Sequence, residues 1–407
     1  MTKIWNPTLT EISSETLIGF ARSMTYLGIS PLTASATELL CAISAKIFDD
    51  PYGRKVPQFV ALAFWLRRSA LTRLIDRLQS NYETSDAVYT PRGLALHLPP
   101  TNVDTIFVYS WAISVLAGNC NIVRMPTDLD APTKWLVELV VEAVENAGQS
   151  HRHLFCTFPH TSNVLGDLSA LSDLRMIWGG DAKVEQVSKH PVRPDGLSIG
   201  FPDRTSFAVI NADTYASISD AARSRLAADL FNDLYWFDQM GCGSPRMIFW
   251  VGEKSRNEYM ADLSDRLVYE IDKKQYTVNT SIAISKFNFV NSMLVDEYAT
   301  GANLCNNQLH VLETTAPDRA ITQKHGGGVL FFANVSSLLD ISASITRATQ
   351  TIVHYGFSKE ELIAFAQSMV GRGGYRIVPP GKALQFDINW DGIPLFAHMT
   401  RIITLDM

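Results

Sequence analysis

The chain has 407 residues, 46% of them hydrophobic and 19% charged, with a net charge of −6. That length exceeds one ordinary core and implies two or three domains, while the composition excludes extensive disorder. There is no long basic run to bind nucleic acid, no apolar run approaching the ~20 residues of a membrane span, and no signal-peptide core in residues 1–15.

Five cysteines, at 41, 120, 156, 242 and 305, are scattered singly without a Cys-x-x-Cys pair. This spacing indicates neither a zinc site nor a disulfide framework and fits a reducing cytoplasm. The histidines show no metal-ligand spacing, so no metal site is expected.

Residues 1 to about 80 read as helical, since Leu17, Ile18 and Ala21, then Leu39, Leu40 and Ile43, then Leu62 to Leu78 recur at helix-like spacing. From residue 90 the pattern changes to strand (94–98), helix (105–116, stopped by Gly118), strand (121–126), helix (131–147) and strand (174–178) running into Gly179-Gly180-Asp181. Alternation of this kind predicts a parallel, doubly wound sheet. No G-x-G-x-x-G fingerprint accompanies it. A second α/β segment opens with the strand 207–210 and continues through a helix (221–231), a strand (247–251), a helix (258–271) and a strand (329–332). After a Gly- and Pro-rich stretch, residues 399–405 read as a final strand.

Cys242 stands between Gly241 and Gly243, directly before the buried strand 247–251. Glycines on both sides leave a sulfur uncrowded and its neighbouring backbone N–H groups free to face a reacting oxygen. Two readings stay open from the residues alone: a thiol nucleophile, or a small buried hydrophobe.

Three stretches carry a resemblance. They are Pro91-Arg92-Gly93 with Pro99-Pro100-Thr101-Asn102 and Ala117-Gly118-Asn119; the turn Cys242-Gly243-Ser244-Pro245; and the tail from Arg376 to Gly392. Together they resemble the aldehyde dehydrogenase superfamily, and within it the bacterial fatty acid reductases of the LuxC type, over roughly residues 85 to 405. The resemblance implies an aldehyde dehydrogenase-like α/β fold. N-terminal helices and a Rossmann-like cofactor domain would span 1–204, an α/β catalytic domain 205–375, and a C-terminal tail with an oligomerisation strand 376–407.

It also implies an activity: reduction of an acyl thioester to the aldehyde with NADPH, through an acyl-enzyme. Cys242 matches the nucleophile, and Asn102 the side-chain donor of an oxyanion hole. Gly179, Gly180 and Asp181 fall where the cofactor phosphates and nicotinamide pass, and Arg124, Thr127 and Asp128 at the strand end that carries the adenosine ribose. Arg124 suits a 2′-phosphate, whereas Asp128 suits the free 2′-hydroxyl of NADH. The donor would be acyl-CoA or an acyl group passed on by an acyl-protein synthetase partner, and the chain would be a homo-oligomer.

Two departures stand out. The glutamate that activates water in aldehyde-oxidising members has no counterpart in 197–203, which disfavours hydrolysis of an acyl-enzyme. A second glutamate, from the cofactor-ribose motif, is missing where His325-Gly326-Gly327-Gly328 stands. The rival readings are an NAD-linked CoA-acylating aldehyde dehydrogenase and a non-reducing acyl-carrier scaffold. No role follows for His325 or His354.

Overall fold

The computed structural model describes residues 1–6, 8–82, 86–100, 103–159, 162–252 and 256–406. The chain forms two compact units, one of Met1–Pro202 with Phe386–Met407, the other of Asp203–Gln385.

In the first unit the strands are β1 (Thr2–Asn6), β2 (Thr8–Ile12), β3 (Ala87–Pro91), β4 (Leu94–Leu98), β5 (Cys120–Arg124), β6 (His153–Thr157), β7 (Leu174–Trp178) and β8 (Leu197–Phe201). Seven of them make one sheet in the order β2-β1-β6-β5-β4-β7-β8. From β6 to β8 every pairing is parallel. β4, β5 and β7 are buried at every residue, which is why they read as predominantly apolar runs, interrupted only by the buried His97, Asn121, Arg124 and Arg175, rather than alternating ones. The helix Ile106–Leu116 is also buried throughout. Beyond it Gly118 adopts φ +81, and a Cβ there would lie 2.0 Å from the Ile29 carbonyl oxygen.

The expectation of helix from the first residue is corrected. β1 and β2 form an antiparallel hairpin that pairs with β6 and closes the edge of the sheet. Thr2 and Ile4 are buried while Lys3 faces Glu11 across the hairpin at 3.7 Å. This period of two is too short to stand out ahead of the helical periodicity that begins at Ser14. The expected helices follow at 14–24, 34–49, 57–66 and 68–82.

The second unit contains β9 (Thr205–Asn211), β10 (Pro245–Val251), β11 (Gly301–Leu304), β12 (His310–Glu313), β13 (Val329–Val335), β14 (Thr349–Tyr355) and β15 (Arg376–Val378). They form one sheet in the order β11-β12-β13-β10-β9-β14-β15, parallel except for the β11–β12 pair. The inner order, third-second-first-fourth-fifth, is the same in both sheets. After Phe386 the chain returns to the first unit through β16 (Asn389–Trp390), β17 (Ile393–Pro394) and β18 (Thr400–Thr404), and β18 pairs antiparallel with β3.

A buried polar chain runs under β4. His97 Nε2 meets Asn121 Oδ1 at 2.9 Å and Nδ1 meets Ser110 Oγ at 2.8 Å, and Trp178 Nε1 donates to the same Oγ at 3.0 Å. Asn121 Oδ1 can only accept, so Nε2 carries the proton and Ser110 donates to Nδ1. Burial holds the neutral ring and lowers its pKa to about 4. Between pH 6.5 and 4 the unfolded chain therefore binds more protons at this site, and stability falls as the pH falls through that window. The expected loss from His97 is on the order of 3 kcal/mol. Denaturant unfolding at stepped pH measures it, and His97→Gln should flatten the slope.

Candidate active site

The cysteine turn begins where the helix Asp220–Tyr235 ends. Phe237, Asp238 and Gln239 all lie in the left-handed region, at φ 57, 51 and 60. For residues with a Cβ this costs roughly 1–2 kcal/mol each, so the surroundings must hold the conformation.

The fully buried side chain of Gln239 does most of this. Its Nε2 donates to the carbonyls of Pro245 and Val329, each at 2.8 Å, and its Oε1 accepts from the N–H groups of Gly328 and Val329, each at 3.0 Å. The amide thus ties the start of β10 to the start of β13. The Asp238 carbonyl accepts from Gly327 N–H at 2.7 Å, and its carboxylate accepts from the Tyr276 hydroxyl at 2.6 Å. A Cβ on Gly326 would come within 2.5 Å of the Asp238 oxygen, so the His325-Gly326-Gly327-Gly328 stretch is the wall against which this turn is folded.

Met240, Gly241, Cys242 and Gly243 then lead into β10. Of the five cysteines, only Cys242 is exposed. Burial pushes the thiols of Cys41, Cys120 and Cys305 up, and that of Cys156 to about 12. The Cys242 carbonyl accepts from Ser206 Oγ at 2.7 Å, and that oxygen in turn accepts from the Thr351 N–H at 3.0 Å. A Cβ at Gly243 would sit 2.5 Å from the Ala383 carbonyl oxygen, so glycine is required there by a neighbouring backbone.

Arg246, 8% exposed, donates to the His325 carbonyl at 2.9 Å, and its charge interacts with Cys242. Burial lowers the Arg246 pKa, and its interactions with Cys242 and Asp203 oppose that shift. His325 shares Nδ1–H with the Gly326 carbonyl at 2.7 Å and points Nε2 at Ser285 Oγ, 3.0 Å away. The buried Nδ1 of His354 has no hydrogen-bond partner, and its ring lies at the end of β14.

The other residues singled out in the sequence belong to the first unit, at the carboxyl ends of its strands. The order of the sheet changes direction at β4, and in such sheets the crevice outside that point takes ligands. Arg124 ends β5 and is 8% exposed, with Nη2 donating to the Phe158 carbonyl at 3.1 Å and the guanidinium over the Phe158 ring. Thr127 and Asp128 are exposed on the bend that follows. Gly179 leaves β7, Gly180 is the N-cap of the helix Asp181–Ser188, and Asp181 opens its first turn. Asn102 lies outside the described residues.

Lys183 escapes sequence reasoning. Its ammonium donates to the carbonyls of Pro99 at 2.6 Å and Trp178 at 2.9 Å, joining the ends of β4 and β7, and burial lowers its pKa to about 8. Arg124 depresses it further, so the two cations act on each other at this edge. A Cβ on Gly179 would meet Lys183 Cδ at 2.6 Å. Glycine followed four residues later by lysine at a strand-to-helix turn is the one local signal of the pair.

Among the described residues, no group of His, Cys, Asp and Glu could hold a metal ion and no helix is long and apolar enough to cross a membrane. For the turn, Gln239→Leu should leave two N–H groups and two carbonyls of β10 and β13 without partners. The expected loss is about 3 kcal/mol or more in denaturant unfolding, with faster proteolysis beside Met240. Unchanged stability would show that Gln239 does not hold the turn.

No relative among curated proteins matches the sequence. Solved structures give the fold. Glyceraldehyde-3-phosphate dehydrogenase from Methanocaldococcus jannaschii, determined with NADP, is 11% identical with a TM-score of 0.68, the match covering 98% of this chain and 95% of that one. Aldehyde dehydrogenase 21 from Physcomitrella patens is 9% identical with a TM-score of 0.70, covering 98% and 92%. Salicylaldehyde dehydrogenase from Pseudomonas putida is 12% identical with a TM-score of 0.68, covering 98% and 91%. At these identities the likeness establishes the aldehyde dehydrogenase fold and nothing finer. The sequence itself matches the family model described as acyl-CoA reductase (LuxC) over residues 67–402. An aldehyde dehydrogenase fold together with that match makes this chain an oxidoreductase that belongs to the LuxC acyl-CoA reductase family.

Proposed function

We propose that the chain reduces a fatty acyl thioester, acyl-CoA in the first instance, to the aldehyde through an acyl-enzyme on Cys242, with NADPH as the reductant. The observation that carries this reading is an exposed cysteine on a turn fixed from three sides, with the charge of the buried Arg246 acting on it.

In the first half-reaction the Cys242 thiolate attacks the thioester carbonyl. Its S–C bond forms, the C–S bond to the carrier breaks, and the carrier leaves as a thiolate that takes up a proton. The Asn102 side chain and the Cys242 backbone N–H would stabilise the transient oxyanion, a contribution of about 10²–10³ in rate per donor. Arg246 keeps positive charge beside the sulfur while it attacks and again when it leaves. A reduced nicotinamide held along the edge of Arg124, Gly179, Gly180 and Lys183 would be the source of the hydride that reaches the acyl carbon. The alkoxide left on the Cys242 adduct then expels the thiolate, and aldehyde departs.

The carboxyl edge of the first sheet suits such a cofactor. Gly179 and Gly180 lead into the helix Asp181–Ser188, with the Lys183 side chain packed against Gly179, and Arg124 and Lys183 bring positive charge to that edge. Thr127 and Asp128, exposed beside it, would face the ribose. Because the Arg124 guanidinium is committed to Phe158 and Asp128 is exposed, NADH is the second reading for the cofactor. The ribbon of β3 and β18 presents Ile402 and Ile403, 57% and 51% exposed, and supports a homo-oligomer; an acyl-protein synthetase would be an alternative acyl donor, in the cytoplasm.

Single-turnover assays with acyl-CoAs of stepped chain length, run with NADPH and then NADH, test the assignment. Aldehyde release with cofactor oxidation is expected, along with an acyl mass adduct on Cys242 when cofactor is withheld. Cys242→Ala should lose the adduct and lower turnover on the order of 10⁴-fold or more. Turnover surviving in that variant would overturn the nucleophile. An adduct that no nicotinamide discharges would point instead to an acyl carrier.

A further inference from the structure

Asp233 lies in the last turn of the helix Asp220–Tyr235, and its residue is 1% exposed. A carboxylate so placed is expensive to desolvate unless its oxygens are met. Both are met by one loop: Oδ2 accepts from Gly381 N–H at 2.7 Å, and Oδ1 from Ala383 N–H at 2.9 Å. Arg376 clamps the same loop from the other side, donating to the carbonyls of Ala383 at 3.3 Å and Lys382 at 3.2 Å.

The loop is the floor of the cysteine turn. A Cβ at Gly243 would lie 2.5 Å from the Ala383 oxygen, and one at Gly241 would lie 3.0 Å from Leu384 Cδ2. The residues on both sides of the sulfur therefore rest directly on the segment that Asp233 holds. On the reading that Cys242 is the nucleophile, we infer that Asp233 is a positioning residue for this turn, setting the sulfur through the loop 381–384 rather than by touching the substrate.

Burial of the carboxyl outweighs its two N–H donors and pushes its pKa to about 7. Asp229, on the same helix, raises it and Arg376, from β15, lowers it, while Lys274, Lys382 and Arg225 act on Asp229. The ionised carboxyl accepts strongly on both oxygens at once, whereas protonation makes one oxygen a donor and a poor acceptor. As the pH falls through about 7, one oxygen gains a proton and one loop N–H loses its acceptor.

Asp233→Asn tests this, because the amide keeps the shape but turns a donor toward one of the two N–H groups. The expected result is acylation of Cys242 by acyl-CoA slowed between about 10- and 100-fold, with KM within about twofold of wild type. The wild-type rate should rise through about pH 7, and the variant's rate should lack that rise. A wild-type acylation rate and pH profile in the folded variant would overturn the inference.

Wild-type protein alone gives a second measurement, whether or not the variant folds. Protection of the Gly381 and Ala383 amides against hydrogen exchange should drop as the pH is lowered through about 7, and flat protection there would equally overturn it. Cys242→Ser separates this inference from the reading it rests on. Turnover retained in that variant sinks both, whereas an inactive Cys242→Ser beside a fully active Asp233→Asn sinks the positioning role only.

Discussion

The four hydrogen bonds of the Gln239 amide are the constraint on which the second unit's chemistry depends. Three successive left-handed residues would not persist in an isolated chain, and a single polar contact would not outweigh their cost. Gln239 is buried where water cannot replace its partners, so each unmade bond would leave a polar group stranded, and the conformation is over-determined. The same amide addresses both β10 and β13, which makes the position of Cys242 a property of the sheet rather than of a loose loop.

The two sheets share one winding order, but the residues singled out in the sequence lie at opposite strand ends. In the first unit Arg124, Gly179, Asp181 and Lys183 gather outside the carboxyl ends of β5, β4 and β7, where parallel strands and helix N-termini leave donors and positive charge. In the second unit Cys242 precedes the first residue of β10, and its backbone is held by Ser206 near the start of β9, itself bonded to Thr351 of β14. Strand starts present N–H groups, so a side chain placed there has donors beside it without borrowing a helix dipole. One winding order thus places its singled-out residues at different edges in the two sheets.

Much of this is legible in the sequence for a plain reason. β4, β5, β7, β9, β10 and β13 are apolar runs bounded by glycine or proline, and burial on both faces makes such runs conspicuous. β6, β8 and β14 escape notice because polar residues such as His153, Thr157, Ser198, Thr349, Gln350, Thr351 and His354 leave each of them only a short apolar stretch, and β8 is only partly buried. The sulfur between glycines is visible too. Gln239, Lys183 and Asp233 are not, since each acts by meeting backbone groups 85 to 150 residues away in at least one of its bonds, and no local spacing encodes that.

The N-terminal hairpin has a consequence for how the protein avoids its own kind. The family match begins at residue 67, so β1 and β2 precede the shared segment. Without them β6 would end the parallel sheet with an open row of N–H and C=O groups along His153-Leu154-Phe155-Cys156-Thr157, a short run with no acidic or lysine side chain to discourage pairing with another chain. β1 pairs with the Cys156–Thr157 end of that row, and β2 presents an outer edge that is exposed and carries Glu11. A parallel sheet that could grow by addition is thereby ended by an antiparallel, charged strand. Chains lacking only the hairpin would expose that edge to one another while keeping the helices from Ser14 onward and the core they bury.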